Sequence, residues 1–237
     1  MIVTKLNTKL ATGLLSLACL FSANQASAEN LTVNLDTVDT IVTSSGVDLV
    51  GSNSTLLVMG AFKGKTLANL RTEFGGYTSA VQVFTAFSSG GGFSTFDTAL
   101  WSEEGSDYLV SFAADHTTVL DNYTAETLAT QTYPIVMGVF NRSSLSEFAG
   151  AGALAEFAVV MWENGSFPRG GASGEGATTS LPFEFLAASG AYSLIAGDTR
   201  TAGALRLEAI PEPSSAALLT LGLCLFSFRK KFSKYNS

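Results

Sequence analysis

The sequence predicts a mainly β protein: a single β-sandwich or barrel-like ectodomain with one or two short helices, flanked by a signal peptide and a C-terminal transmembrane helix. Three observations carry this. Between residues 29 and 210 the apolar residues fall in short runs, many of them β-branched or aromatic, separated by Gly, Ser and Asn clusters; that is the pattern of strands and turns. Few stretches in that span favour a helix. Near each end of the chain stands an apolar run with basic residues beside it.

Lys5 and Lys9 precede the apolar run Leu10 to Phe21, and Ala26-Ser27-Ala28 follows. Charge, greasy centre and small-x-small site in this order make a secretory signal peptide over residues 1–28, with Ala26 and Ala28 marking the cleavage and Glu29 the first mature residue. The run is too short for a stable anchor. Cys19 offers a rival reading as an acylation site, but Ser16-Leu17-Ala18 lacks the large aliphatic residue that such a site prefers three positions upstream.

The body, residues 29–210, reads as one domain. Leu31, Val33 and Leu35 alternate with Thr32, Asn34 and Asp36, which predicts a half-buried strand continuing to Val42. Asp48 to Val50 and Leu56 to Phe62 read as a strand pair around Gly51-Ser52-Asn53-Ser54. Leu67, Leu70 and Phe74 share a helical face that Gly75-Gly76 ends. Tyr77 to Phe87 fits either state: Val81-Gln82-Val83-Phe84 favours a strand, while Val81, Phe84 and Phe87 suit a helix. Ser88 to Gly92 reads as a loop. Phe96 to Trp101 and Asp107 to Ala113 read as a hairpin around Glu103-Glu104-Gly105. Thr118 to Thr132 is polar and irregular, with a helical turn at Ala125 to Ala129. Pro134 to Phe140 is a continuous apolar strand, expected to be central, and Leu154 to Trp162 is apolar and β-branched or aromatic enough to be another. Gly165 to Thr179 is Gly/Ser-rich and reads as a mobile loop. Leu181 to Leu186, Tyr192 to Ala196 and Leu205 to Ile210 complete the sheet.

Charge and cysteine content narrow the functions open to this body. It holds seven Lys and Arg against nineteen Asp and Glu, a net charge of about −12 where the whole chain has −7. Such a surface repels phosphate backbones, so nucleic acid is not expected as a partner. Both cysteines, Cys19 and Cys224, lie in the terminal segments. The body therefore has no disulfide, thiolate metal site or cysteine nucleophile.

The C-terminal segment, residues 211–237, has three parts. Pro211 and Pro213 fix φ, lack N–H donors and push their predecessors toward extended geometry, so Ile210 to Pro213 is expected to be extended and exposed, as a protease needs. Ser214 can cap the apolar helix that follows, over 214–228. From Ala216 to Phe228 that run is about 20 Å long against a hydrocarbon core of about 30 Å, so insertion is marginal. Arg229, Lys230 and Lys231 supply the stop, and by the positive-inside rule residues 229–237 form a basic cytoplasmic tail. Pro211-Glu212-Pro213-Ser214, then Ala217 to Leu223, then Arg229-Lys230-Lys231 resemble the PEP-CTERM sorting signal. The resemblance covers roughly the last tenth of the chain. It implies a bacterial exported protein recognised in the inner membrane by an exosortase, a membrane-embedded cysteine transpeptidase that acts near the Pro-Glu-Pro. It further implies an envelope that produces exopolysaccharide. The tail Phe232 to Ser237 runs past the basic cluster, a departure from the pattern.

Motifs for chemistry are weak in the body. Gly64-Lys65-Thr66 stands between a strand and a helix, but the Gly that a phosphate loop needs five residues earlier is replaced by Met59, so a loop-to-helix junction is expected. His116 is the only histidine, no Gly-x-Ser-x-Gly is present, and a zinc site of several His is excluded. Asp36/Asp39, Glu103/Glu104/Asp107 and Asp115/Asp121 are candidate carboxylate pairs for glycoside hydrolysis. Calcium, which takes oxygen ligands from loops, is a candidate at these carboxylates, although no Asp-x-Asp-x-Asp-Gly loop is present; otherwise no cofactor is expected. Gly170 to Gly176 lacks dinucleotide spacing. Trp101 and Trp162, with Tyr108 and Phe167, are candidates for an aromatic platform that binds sugar rings. The expectation is a non-enzymatic envelope or matrix protein, processed by signal peptidase and exosortase, held transiently in the inner membrane, then released to the cell surface or matrix. A glycan-binding module for extracellular polysaccharide is the alternative, and a carboxylate-dependent hydrolase the third reading.

Overall fold

The computed structural model describes residues 30–38, 40–49, 54–88, 91–101, 110–115, 134–165, 167, 177–183, 192–198 and 203–210. The expected signal peptide, C-terminal segment, helical turn within 118–132 and acidic turn at 103–105 lie outside the described residues. In chain order the strands are β1 (Asn30–Val38), β2 (Thr40–Val42), β3 (Leu56–Phe62), β4 (Phe93–Leu100), β5 (Val110–Asp115), β6 (Ile135–Phe140), β7 (Glu156–Trp162), β8 (Ala177–Phe183), β9 (Ser193–Ala196), β10 (Ala204–Arg206) and β11 (Glu208–Ala209). Among the described residues three short helices join them: α1 (Leu67–Gly75), α2 (Ala80–Phe87) and α3 (Leu145–Gly150). A 3-10 turn, Gly152–Leu154, precedes β7. The described body is mainly β.

Three apolar strands form its centre. β3, β6 and β7 pair antiparallel, with β6 in the middle and β4 and β11 at the edges. β9 shares the outer edge of β7 with β11. The side chains alternate, yet both sets are buried. Leu57, Met59, Ile135, Met137, Ala158 and Val160 enter one core. Val58, Phe62, Val136, Phe140, Phe157 and Val159 enter the other. A strand covered on both faces has no polar face to alternate with, which is why Ile135–Phe140 and Phe157–Trp162 read as apolar without alternation; Leu154, expected in the strand, lies in the 3-10 turn before it.

The first core is closed by strands of two further sheets. β1 pairs β5 antiparallel and β8 in parallel, and β2 pairs β10 in parallel. Val33, Leu35, Ile41, Phe112, Phe183 and Leu205 point from them onto the central sheet. The second core is closed by the helices, through Leu70, Phe74, Val83, Phe87 and Phe148. The molecule is therefore layered: helices, central sheet, second layer of strands. No sheet closes on itself among the described residues.

Several local expectations are met and others corrected. α1 starts at Thr66, whose hydroxyl accepts from the Asn69 N–H, and ends at Gly76. Within Tyr77 to Phe87, Ala80–Phe87 is settled as helix by its N-terminus: Ser79 and Gln82 form a reciprocal capping box. The face it buries is Ala80, Val83 and Ala86–Phe87, and Val81 is exposed. α3 was not expected, although Ser144 caps it at the Glu147 N–H. The hairpin expected from Phe96–Trp101 and Asp107–Ala113 forms no ladder among the described residues. β4 pairs β3 and β5 pairs β1, in different sheets, and the link between them is a side chain: the Ala113 N–H donates to Asp97 Oδ2 at 2.8 Å. Asp48, expected in a strand pair with Leu56–Phe62, forms an isolated bridge to Val42 instead. The expected loop Gly165–Thr179 is shortened by β8, which begins at Ala177. Ile210, expected to be exposed, is buried.

Two glycines permit the close layering. Gly60 stands at a bulge between Met59 and Gly60, where a Cβ would come 2.0 Å from the Ser94 carbonyl oxygen. Gly138 faces the helices, and the Phe87 ring lies directly over it.

Candidate functional site

The described surface carries a cleft of about 370 Å³ on the helix layer. Glu73, Tyr77, Val81, Gln82, Thr85 and Gly91 line it. Its polar part is set by the end of α1. Glu73 and Tyr77 are four residues apart, so both fall on one side of the helix end. The Tyr77 hydroxyl donates to Glu73 Oε1 at 2.9 Å. Lys65, in the turn before α1, donates to Glu73 Oε2 and sits 5.6 Å from the centre of the Phe62 ring. Gly64 makes that turn at φ +69, in the left-handed region.

These contacts fix the charges. Burial alone would raise the Glu73 carboxyl, but the Lys65 and Tyr77 hydrogen bonds and the Lys65 charge hold it below its ordinary value of 4.5. Burial first, then the hydrogen bond to Glu73 and its charge, pushes the Tyr77 phenol well above its ordinary value of 10.0. At neutral pH the pair is a carboxylate and a phenol. Both carboxylate oxygens already accept hydrogen bonds, and no second carboxylate lines the cleft. This is a poor arrangement for general acid–base work, which needs a proton that moves near the working pH. Its clear effect is structural: it ties the strand-to-helix turn, α1 and the segment leading to α2 together.

The residues singled out from sequence stand elsewhere. Gly64-Lys65-Thr66 is the expected loop-to-helix junction. Trp101 and Trp162 do not form an exposed platform: they are 1% and 3% accessible and belong to the core between the sheets. The Trp162 indole N–H donates to the Pro182 carbonyl at 2.8 Å, and its ring meets Phe183 and Tyr192. Phe167 is equally buried, 5.1 Å from Phe96 between ring centres. With their faces covered, these rings are core filling, as large aromatics between two sheets commonly are.

Of the candidate carboxylates, Asp36 and Asp115 lie on β1 and β5. Asp39, Glu103, Glu104, Asp107 and Asp121 lie outside the described residues, as do His116 and Tyr108. Among the described residues no cluster of three His, Cys, Asp or Glu is placed to hold a metal ion. Pro211, Glu212, Pro213, Arg229, Lys230, Lys231, Ala26 and Ala28 also lie outside the described residues. No helix among the described residues is long and apolar enough to cross a membrane.

Glu73 and Tyr77 were missed from sequence. The signal was their four-residue spacing across the end of a predicted helix; Lys65 is brought to them only by the turn. No family model, curated protein or solved structure matches the chain.

Proposed function

We propose that this chain is an exported envelope or matrix protein with a non-enzymatic structural or interaction role. Its β-rich body is delivered by a cleavable N-terminal signal, and a C-terminal segment holds it in the inner membrane. A membrane transpeptidase of the exosortase type then acts near Pro211-Glu212-Pro213. The observation that carries this reading is the order of the last residues: a proline-stiffened motif, an apolar run and the cluster Arg229-Lys230-Lys231. A marginal apolar run followed by cations suits a transient anchor.

Ile210 is buried and its N–H donates to the Ala155 carbonyl at 3.1 Å, so the folded part continues to the residue before Pro211 and the segment offered to the enzyme starts no earlier than Pro211. The aromatic platform for a glycan has no support in Trp101 and Trp162, for the reason given above. Intact-mass measurement on fractionated cells tests the proposal by reading both mature ends. The wild-type product is expected to start at Glu29 and to end near Pro213. Glu212→Ala is expected to accumulate in the inner membrane at full C-terminal length. Normal release of that variant, or a wild-type product that keeps Met1 and Ser237, overturns it.

A further inference from the structure

Four large apolar residues are exposed among the described residues: Leu154 at 70%, Val47 at 61%, Val81 at 56% and Leu100 at 45%. Val81 belongs to α2. The other three share one end of the strands, and it is the end at which the chain leaves the body. Glu156 is the point that relates them. Its backbone pairs with Ala209, next to Ile210. Its carboxylate accepts from the Ser44 N–H at 2.9 Å and the Ser44 hydroxyl at 2.6 Å, which places the Val47 turn beside it. Leu154 precedes Ala155, whose carbonyl accepts from Ile210. Leu100 is opposite Leu56, whose N–H donates to the Arg142 carbonyl, and Arg142 in turn donates to the Leu154 carbonyl at 3.1 Å.

Two arginines stand at the same end. Arg142 is there, and Arg206 lies beside the Val47 turn, with Nη2 3.7 Å from where a Cβ on Gly46 would sit. The carboxylates nearby are Glu156, which Ser44 engages, Glu147, Glu208, Asp48 and Asp198, so the apolar side chains rather than net charge distinguish this end.

We propose that this end is a membrane-contacting face that rests on the outer leaflet of the bilayer entered by the C-terminal run. The inference deepens the sorting proposal and rests on it. Five residues, Pro211 to Ser215, separate Ile210 from the apolar run beginning at Ala216. The six steps from Ile210 to Ala216 reach at most about 22 Å at about 3.6 Å per residue, so the exit end cannot move far from the bilayer. Apolar side chains beside cations suit the headgroup boundary, where such groups enter by about 5–10 Å. Leu154, Val47 and Leu100 dip into that boundary, and Arg142 meets lipid phosphates. The body then stands with its strands upright on the membrane.

The test uses the full chain, free of Cys19 and Cys224, in phosphatidylethanolamine–phosphatidylglycerol vesicles. An environment-sensitive fluorophore is placed by Leu154→Cys, or by Asn164→Cys at the opposite end of β7. Expected are co-flotation of both with vesicles, a blue shift at position 154 alone, and loss of that signal to a lipid-borne quencher. Arg142→Gln is expected to reduce the shift. Flotation with both positions in water overturns this inference and leaves the sorting proposal standing. Failure to float overturns both. A shift at 154 that grows with protein density and ignores the lipid quencher identifies a second copy of the chain as the occupant, and overturns the membrane contact.

Discussion

At the scale of single residues, the molecule is most sensitive where backbone meets ring. A Cβ on Gly138 would lie 2.6 Å and 2.7 Å from two atoms of the Phe87 ring. That ring is held by neighbours: Phe62 at 5.5 Å and Phe140 at 5.1 Å, both edge-on. It has little room to retreat, so Gly138→Ala is expected to cost about 1–3 kcal/mol, read as a lower urea midpoint. The Tyr77–Glu73 pair gives a pH-dependent prediction. Glu73 is lowered by the fold, so its contribution is present above 4.5 and is lost as pH falls below that value and through the lower folded one, where the unfolded chain takes up the proton first. Tyr77 is raised, so its contribution is present below 10.0 and is lost as pH rises, where the unfolded chain ionises first. Tyr77→Phe removes one hydrogen bond and is expected to cost about 0.5 kcal/mol, the low end of the usual range because the pair is partly exposed. The gap between wild type and variant should be widest between pH 4.5 and 10.0 and narrow on both sides, as denaturation at a series of pH values would show. A gap that is flat with pH would remove the charge argument.

At the scale of elements, caps decide what propensity leaves open. Residues 80–87 are rich in Val and Phe and suit either state. The Ser79 hydroxyl accepts from the Gln82 N–H, and the Gln82 side chain accepts from the Ser79 N–H at 3.1 Å. A strand would leave both pairings unmade. Ser79→Ala is expected to cost about 1 kcal/mol and Ser79→Gly only a few tenths, compared by thermal or urea unfolding. Equal losses would mean that packing of Val83 and Phe87, rather than the cap, holds the element. The same serine-first pattern, Ser144 to Glu147, marks α3 in the sequence, but its six residues are too few to show a helical period.

At the scale of the whole molecule, the last described residues bind the layers together. Leu205 and Leu207 enter the core between the sheets, and Ile210 enters the core under the helices. β11 closes part of the β7 edge between them. Ile210→Ala is therefore expected to destabilise the whole body by about 2–5 kcal/mol, although it adjoins the proposed sorting motif. Loss of the buried fluorescence of Trp101 and Trp162 at lower denaturant would report it. An unchanged midpoint would mean that the body ends before Ile210.

The sequence by itself determined that the body is mainly β, that it is acidic and free of cysteine, and which runs are central. Runs such as Ile135–Phe140 are legible because every position is apolar whichever face it takes. It also placed α1, through Leu70 and Phe74 with glycines behind them. Pairing was decided only in three dimensions. β4 and β5 are neighbours in sequence, yet each gains more by lying against a different sheet. Whether an aromatic is a surface platform or core is likewise invisible in composition, since Trp101 and Trp162 differ from exposed rings only in what the fold lays over them. The helix layer was legible in part, because an apolar face names what must be buried but not the partner that buries it.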